Sequence, residues 1–131
     1  MTSTHHAALI RTFAALRFTT GAAAWLAPNT TGRVMGLSSG RDQPFTTQLF
    51  GSRELTLALA ITDPVSPQLR SFALRLGLLT DVLDVVAAVR GIRADTLSRT
   101  GAVIAGGGAA LFAGLGIAAM NGQRHSTGAA A

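Results

Sequence analysis

Cysteine is missing from this 131-residue chain, which excludes a disulfide framework, a thiolate nucleophile, an iron-sulfur cluster and any cysteine-based zinc site. Lysine is missing as well, so the positive charge comes from eleven basic residues that are all arginine. Charge of either sign is scarce. Asp, Glu, Lys and Arg together make up 13% of the chain, against about 25% in an ordinary soluble domain. Histidine offers little more, since His5, His6 and His125 lie in polar or small-residue tails, and a metal site needs three or four converging ligands. No metal ligand set is expected. What the chain does have is apolar bulk: hydrophobic residues reach 48% and the mean hydropathy is +0.39. This balance points to a membrane protein of one domain, residues 1–131. The net charge of +5 is scattered along the chain, whereas nucleic-acid binding needs a basic stripe on one face, so no nucleic-acid partner is expected.

Four helical segments follow from the spacing of apolar residues and breakers, at about residues 7–27, 45–62, 68–90 and 101–120. Residues 121–131 read as a disordered tail. The first segment has the outline of a signal peptide, but Arg17 interrupts its apolar run and no clean cleavage site precedes Pro28. It therefore reads as a retained helix. Residues 30–44 hold Gly32, Gly36, Gly40 and Pro44, a loop composition, with a short interfacial turn over residues 31–37. Asp63-Pro64 and Ser66-Pro67 end the second helix, because proline disfavours helix in the residue before it. Gly91 is the expected C-terminal cap of the third. The fourth has about twenty uncharged residues, the length that crosses about 30 Å of hydrocarbon. The expected fold is an all-α four-helix transmembrane bundle with antiparallel up-down connectivity, located in the cell membrane as a multi-pass protein with membrane lipid as a partner. Arginine bias puts the two longer loops in the cytoplasm and both termini outside.

The fourth segment also carries small residues at four-residue spacing, including Gly106, Ala110, Gly114 and Ala118. Such a stripe lets helix backbones approach closely in lipid, so a homo-oligomer through these residues is an expected assembly. Its Gly114-x-Gly116-x-x-Ala119 pattern falls late in a helix with no acidic residue further on, which argues against a dinucleotide site.

The most informative residues are the charges placed inside the apolar segments: Arg17 in the first, Arg53 and Glu54 in the second, Asp81 and Asp84 in the third. An ionised group in such a setting survives only when paired or facing a polar cavity. Asp81 and Asp84, three residues apart, share one helix face. Two neighbouring carboxylates in a low-dielectric place cannot both ionise cheaply, so one is expected to hold a proton. Two arginines against three acids become neutral with one shared proton. The expectation is a pocket in which Glu54, Asp81 and Asp84 act catalytically and Arg17, Arg53, Gln48 and Thr80 bind substrate. The bland alternative is a salt-bridge network that only fixes helix register. Arg75, on another face, reads as a rim residue.

At Gly51-Ser52-Arg53-Glu54-Leu55, and again from Arg75 through Asp81 to Asp84, the chain resembles a group of small four-helix actinobacterial membrane proteins of unknown function. They carry a G-x-R-E second helix and a paired-Asp third helix. The likeness spans about residues 10–120. It implies the four-helix membrane architecture and the grouping of Arg53, Glu54, Asp81 and Asp84, and it implies no activity. The residues themselves suggest a cofactor-independent acid-base enzyme, an isomerase, cyclase or epoxide-opening hydrolase. Its ligand would be an apolar polyketide, isoprenoid or lipid-like molecule. A proton- or solute-handling membrane subunit and a scaffold subunit of a membrane complex are the alternatives.

Overall fold

The computed structural model describes residues 3–128, and the surroundings of side chains over residues 4–122. The described residues form five helices and no strand: α1 (Ser3–Leu26), α2 (Pro28–Val34), α3 (Gln43–Thr62), α4 (Pro67–Arg93) and α5 (Arg99–Gly128). The extra helix is α2. Pro28 does end the first helix, and it also occupies the first turn of a new one, where its fixed φ and missing N–H carry no penalty. The glycine-rich stretch read as loop is therefore half helical. Gly32 is buried there because α2 lies on α3: a Cβ at this position would fall 1.4 Å from Gln43 Nε2. The Gln43 amide donates to the Pro28 carbonyl at 3.0 Å and to Thr47 Oγ1 at 2.9 Å, and so pins α2 to the start of α3.

Two further boundaries move. The third expected helix runs past Gly91 to Arg93, and the reversal is made at Asp95, which takes a left-handed φ of 55°. Gly91 serves another purpose, since its carbonyl accepts from the Thr96 and Leu97 amides as the chain folds back across it. The stretch read as a tail continues α5 as far as Gly128, and residues 129–131 lie outside the described residues, as does the side chain of His125. The α3–α4 link is built as its sequence suggests. Asp63 Oδ1 accepts from the amides of Val65 and Ser66 at 2.8 and 2.7 Å, and Ser66 Oγ accepts from Leu69 at 3.1 Å to cap α4.

The multi-pass transmembrane reading is corrected. Among the described residues only one helix, over Arg99–Gly122 with a hydropathy of 1.9, is long and apolar enough to cross a membrane. One such helix does not make a four-span bundle, and the inside-outside assignment of the loops falls with it. The physical reason lies in the charges themselves. Arg17, Arg53, Glu54, Asp81 and Asp84 interrupt α1, α3 and α4, and their mutual pairing satisfies any low-dielectric interior, a bilayer or a protein core alike.

The helices pack as two close pairs, α1 with α3 and α4 with α5, and the pairs lean on each other less extensively. In the first pair the backbones nearly touch: a Cβ on Gly51 would lie 2.8 Å from the Gly21 carbonyl oxygen. In the second, Ala88 sits opposite Gly106. The two pairs are joined at one end by a core of Ile10, Phe13, Ala14, Ile61, Ala73, Leu74 and Ala119. At the other end the chain after α2 meets the start of α5, with a Cβ on Gly36 falling 2.3 Å from the Gly101 Cα. Between these closures the pairs are bridged by ion pairs from α1 and α3 to α4, and beside that bridge they leave a space. The small-residue stripe divides accordingly, because a four-residue repeat drifts around a 3.6-residue helix. Ala102 and Gly106 turn inward toward the rest of the protein, whereas Ala110, Gly114 and Ala118 are exposed.

Candidate functional site

The space between the helix pairs is a chamber of about 830 Å³. All five helices contribute to its wall, and its ionisable residues gather on α3 and α4: Arg53, Glu54, Asp81 and Asp84. Asp81 and Asp84 reach it together because three residues advance a helix by nearly one turn, which puts both on one face.

Behind this charged wall lies Arg17, fully buried with 0% exposure. Its guanidinium packs against an edge-to-face aromatic pair, 4.8 Å from the centroids of both Phe13 and Phe112. Arg17 Nη1 donates to Glu54 Oε2 at 2.6 Å, and Nη2 donates to Asp81 Oδ2 at 2.5 Å. Gly77 leaves room for it, since a Cβ there would lie 3.1 Å from Nη2. One arginine from α1 thus orients an acid from α3 and another from α4. Charge-assisted bonds of this kind are about twice as strong as neutral ones, and removing one partner would strand the other as a buried charge.

Arg53 makes the second crossing. It grips Asp84 with both terminal nitrogens, Nη1 to Oδ1 at 3.1 Å and Nη2 to Oδ2 at 2.5 Å, and its Nε and Nη2 also donate to Glu54 Oε1 at 3.2 and 3.1 Å. Its guanidinium covers the Phe50 ring at 4.9 Å. Burial disfavours the Arg53 charge, but the hydrogen bond and charge of Asp84, with those of Glu54, outweigh burial and raise its pKa. This pair is partly open, with side-chain exposures of 30% and 33%.

The three acids are therefore not equivalent. Glu54 accepts from two guanidiniums and has both oxygens engaged, and Asp84 has both oxygens on Arg53. Asp81 gives only Oδ2 to Arg17. Among the described residues its Oδ1 accepts no hydrogen bond, and the residue lines the chamber. Burial pushes the Asp81 carboxyl up to about 6. The Arg17 charge and hydrogen bond pull it down without cancelling burial, and the Glu54 charge adds to the rise. The proton that would neutralise two arginines and three carboxylates has its best place on Asp81.

The structure brings together Arg17, Arg53, Glu54, Asp81 and Asp84, and leaves out two other expected site residues. Thr80 turns its hydroxyl back to the Gly77 carbonyl at 2.8 Å and does not line the chamber. Gln48 lies on a flank of α3 away from it, with its carbonyl accepting from Ser52 Oγ at 2.9 Å. Arg17 stands behind the acids and is not part of the lining, so its geometry is that of a positioning residue. Arg75 is likewise outside the chamber wall. Sequence reasoning missed the aromatic pair against Arg17 and the contribution of α2. Phe13 carried a signal, four residues before Arg17 on the same helix face. Phe112 carried none, because only tertiary packing brings it to Arg17. Among the described residues no group of three or more histidine or carboxylate side chains is arranged to hold a metal ion. Comparison with protein-family models, curated proteins and solved structures finds no match to this chain.

Proposed function

We propose that the chamber performs cofactor-independent acid-base chemistry on an apolar molecule, with Asp81 as the proton donor. The observation that carries this reading is the uneven engagement of the acids: Glu54 and Asp84 are held on both oxygens, while the buried Asp81, which lines the chamber, has one oxygen that accepts no hydrogen bond among the described residues. A group that titrates near 6 can hold a proton at mildly acidic pH and release it within a turnover, which is what general acid catalysis requires. An acid shifted by burial beside a specific charged partner, in a cavity, is a candidate functional group.

The chemistry that fits is protonation of an epoxide or carbonyl oxygen. In epoxide isomerisation, the oxygen takes the proton from Asp81 as the C–O bond breaks. Loss of a proton from the adjacent carbon to the Asp81 carboxylate then gives an alkenol and restores the acid. In epoxide hydrolysis, water entering at the partly open Arg53 and Asp84 edge adds to the carbon and returns its proton to Asp81. Arg17 holds Asp81 in place, and Glu54 keeps both guanidiniums fixed.

Two measurements test this. The carboxyl carbon of Asp81, labelled with carbon-13, should titrate near pH 6; a midpoint below about 4.5 would remove the donor. Conversion of neutral apolar epoxides and enones, followed by gas chromatography, should vanish in Asp81→Asn. Turnover by that variant at the wild-type rate would sink the reading.

A further inference from the structure

The chamber has two unlike edges. On the α3–α4 side, Arg53 and Asp84 present charge to water. On the other side α1 and α5 run antiparallel and touch where Phe13 meets Phe112 at 6.0 Å between ring centroids, and beyond that point both helices line the chamber, with Leu16 and Ala23 from α1 and Ile104 and Gly108 from α5. An opening shows at Gly108, which lines the chamber yet whose added Cβ would meet nothing within 4 Å. Its rim is aliphatic: Leu16, Ile104 and Leu111 are 41%, 44% and 58% exposed. Below, the aromatic pair closes this window, and above, the Gly36–Gly101 approach closes it.

The interior is more apolar than its composition suggests. Of the five lining threonines, Thr19 Oγ1 donates to the Ala15 carbonyl at 2.8 Å, Thr31 Oγ1 to the Ala23 carbonyl at 3.0 Å and Thr96 Oγ1 to the Gly91 carbonyl at 3.3 Å, so three of the hydroxyls are spent on backbone and Thr20 and Thr30 are the neutral polar groups of the wall. Ionisable groups line only the α3 and α4 wall. At about 830 Å³ the chamber falls within the roughly 300–1,000 Å³ of sites for drug-sized ligands.

From this layout we infer that the chamber binds a neutral, elongated, hydrocarbon-rich molecule that enters between α1 and α5 and points one acceptor oxygen, of an alcohol, ketone or epoxide, at Asp81. The charges decide against the other amphiphiles. A fatty-acid carboxylate would bring a fourth acid to a wall whose one guanidinium, that of Arg53, is already engaged, with Arg17 behind it equally committed, and burying an unpaired carboxylate is costly. An alkylammonium would have to displace the proton on Asp81 and then lie beside Arg53. A neutral oxygen needs only the donor that a protonated Asp81 supplies. The inference deepens the acid-base reading and rests on it for the fate of the oxygen, whereas the binding preference stands on shape and charge.

The test uses the full chain and the neutral fluorescent probe N-phenyl-1-naphthylamine at about pH 6, where about half of the Asp81 carboxyl is protonated and decanoate is ionised. Probe fluorescence should rise on binding, and 1-decanol and 2-decanone should displace the probe at least about tenfold more effectively than decanoate or decylamine. Gly108→Phe should block uptake. Gly107→Phe, beside it with equally open space but outside the chamber lining, should leave uptake unchanged. Absence of probe binding to the wild type, equal uptake by Gly108→Phe, or displacement by decanoate or decylamine matching that of decanol overturns the inference. Should Gly108→Phe lose its helical circular dichroism, the ranking of the four competitors on the wild type decides. Asp81→Asn keeps a donor amide and should bind decanol as the wild type does. Bound decanol together with undiminished turnover in that variant refutes the acid-base reading and leaves the binding inference standing.

Discussion

Replacing Asp81 with asparagine should change the way stability depends on pH, and the sign can be worked out. The Asp81 carboxyl has a pKa of about 6 in the fold against 3.8 when unperturbed. A group with a raised folded pKa contributes stability that is present in full below its unfolded pKa and is lost as pH rises through its folded one. Between about pH 4 and pH 6 the native protein must therefore lose stability, because it is forced to ionise a buried acid that the unfolded chain ionises freely. About two pKa units at about 1.4 kcal/mol each give about 3 kcal/mol. Water in the chamber screens part of this, so about 2 kcal/mol is the expected size. Asparagine is neutral throughout and lacks this dependence. Urea unfolding followed by circular dichroism, for both proteins at about pH 4.5 and pH 7.5, isolates the effect as a difference of differences. Because pH 4.5 already lies above the unfolded pKa, about two thirds of the total falls between the two conditions, so the wild type should fall relative to Asp81→Asn by about 1.3 kcal/mol. Parallel behaviour, or a wild type that gains on the variant as pH rises, would show that Asp81 is an ordinary ionised partner of Arg17.

Two other perturbations probe the frame around the chamber. Arg17→Met fills a similar volume against Phe13 and Phe112 but leaves Glu54 and Asp81 without their shared cation; it should cost about 3–5 kcal/mol in the same unfolding assay, and a loss below about 1 kcal/mol would contradict the buried pairing. Ser66→Ala removes the cap that holds the Leu69 amide and should lower stability by about 1 kcal/mol without changing decanol binding; weakened binding would mean that the α3–α4 link acts on the chamber.

The charged wall could be anticipated because five ionisable residues interrupt otherwise apolar stretches, and such residues have few places to go except toward each other. Their order of engagement could not. That Asp81, and not Asp84 or Glu54, keeps a free oxygen depends on where Arg17 and Arg53 reach across from neighbouring helices, which is tertiary geometry. The helix starts at Pro28 and Pro67 and the tight link after Thr62 follow local rules, whereas the span of α2 was hidden by Gly32. Glycine at that position reads as a breaker, yet its task is to admit the Gln43 side chain. The membrane reading failed for a related reason. Overall apolarity and uncharged length describe α5 well, and they do not describe α1, α3 and α4, whose polar faces meet one another.

Where Gly36 meets Gly101, no side chain separates the two strands of main chain, and Gly36 holds a φ of 77° that other residues rarely adopt. The contact that closes this end of the fold is thus made by backbone alone, while Met35, Leu37 and Leu97 line the chamber near it and exchangeable groups such as Leu16, Ala105 and Leu111 set its girth. A redesign aimed at wider or narrower guests has many positions to work with. One aimed at longer guests gains only what shorter side chains at Met35, Leu37 and Leu97 release before it meets the glycine contact.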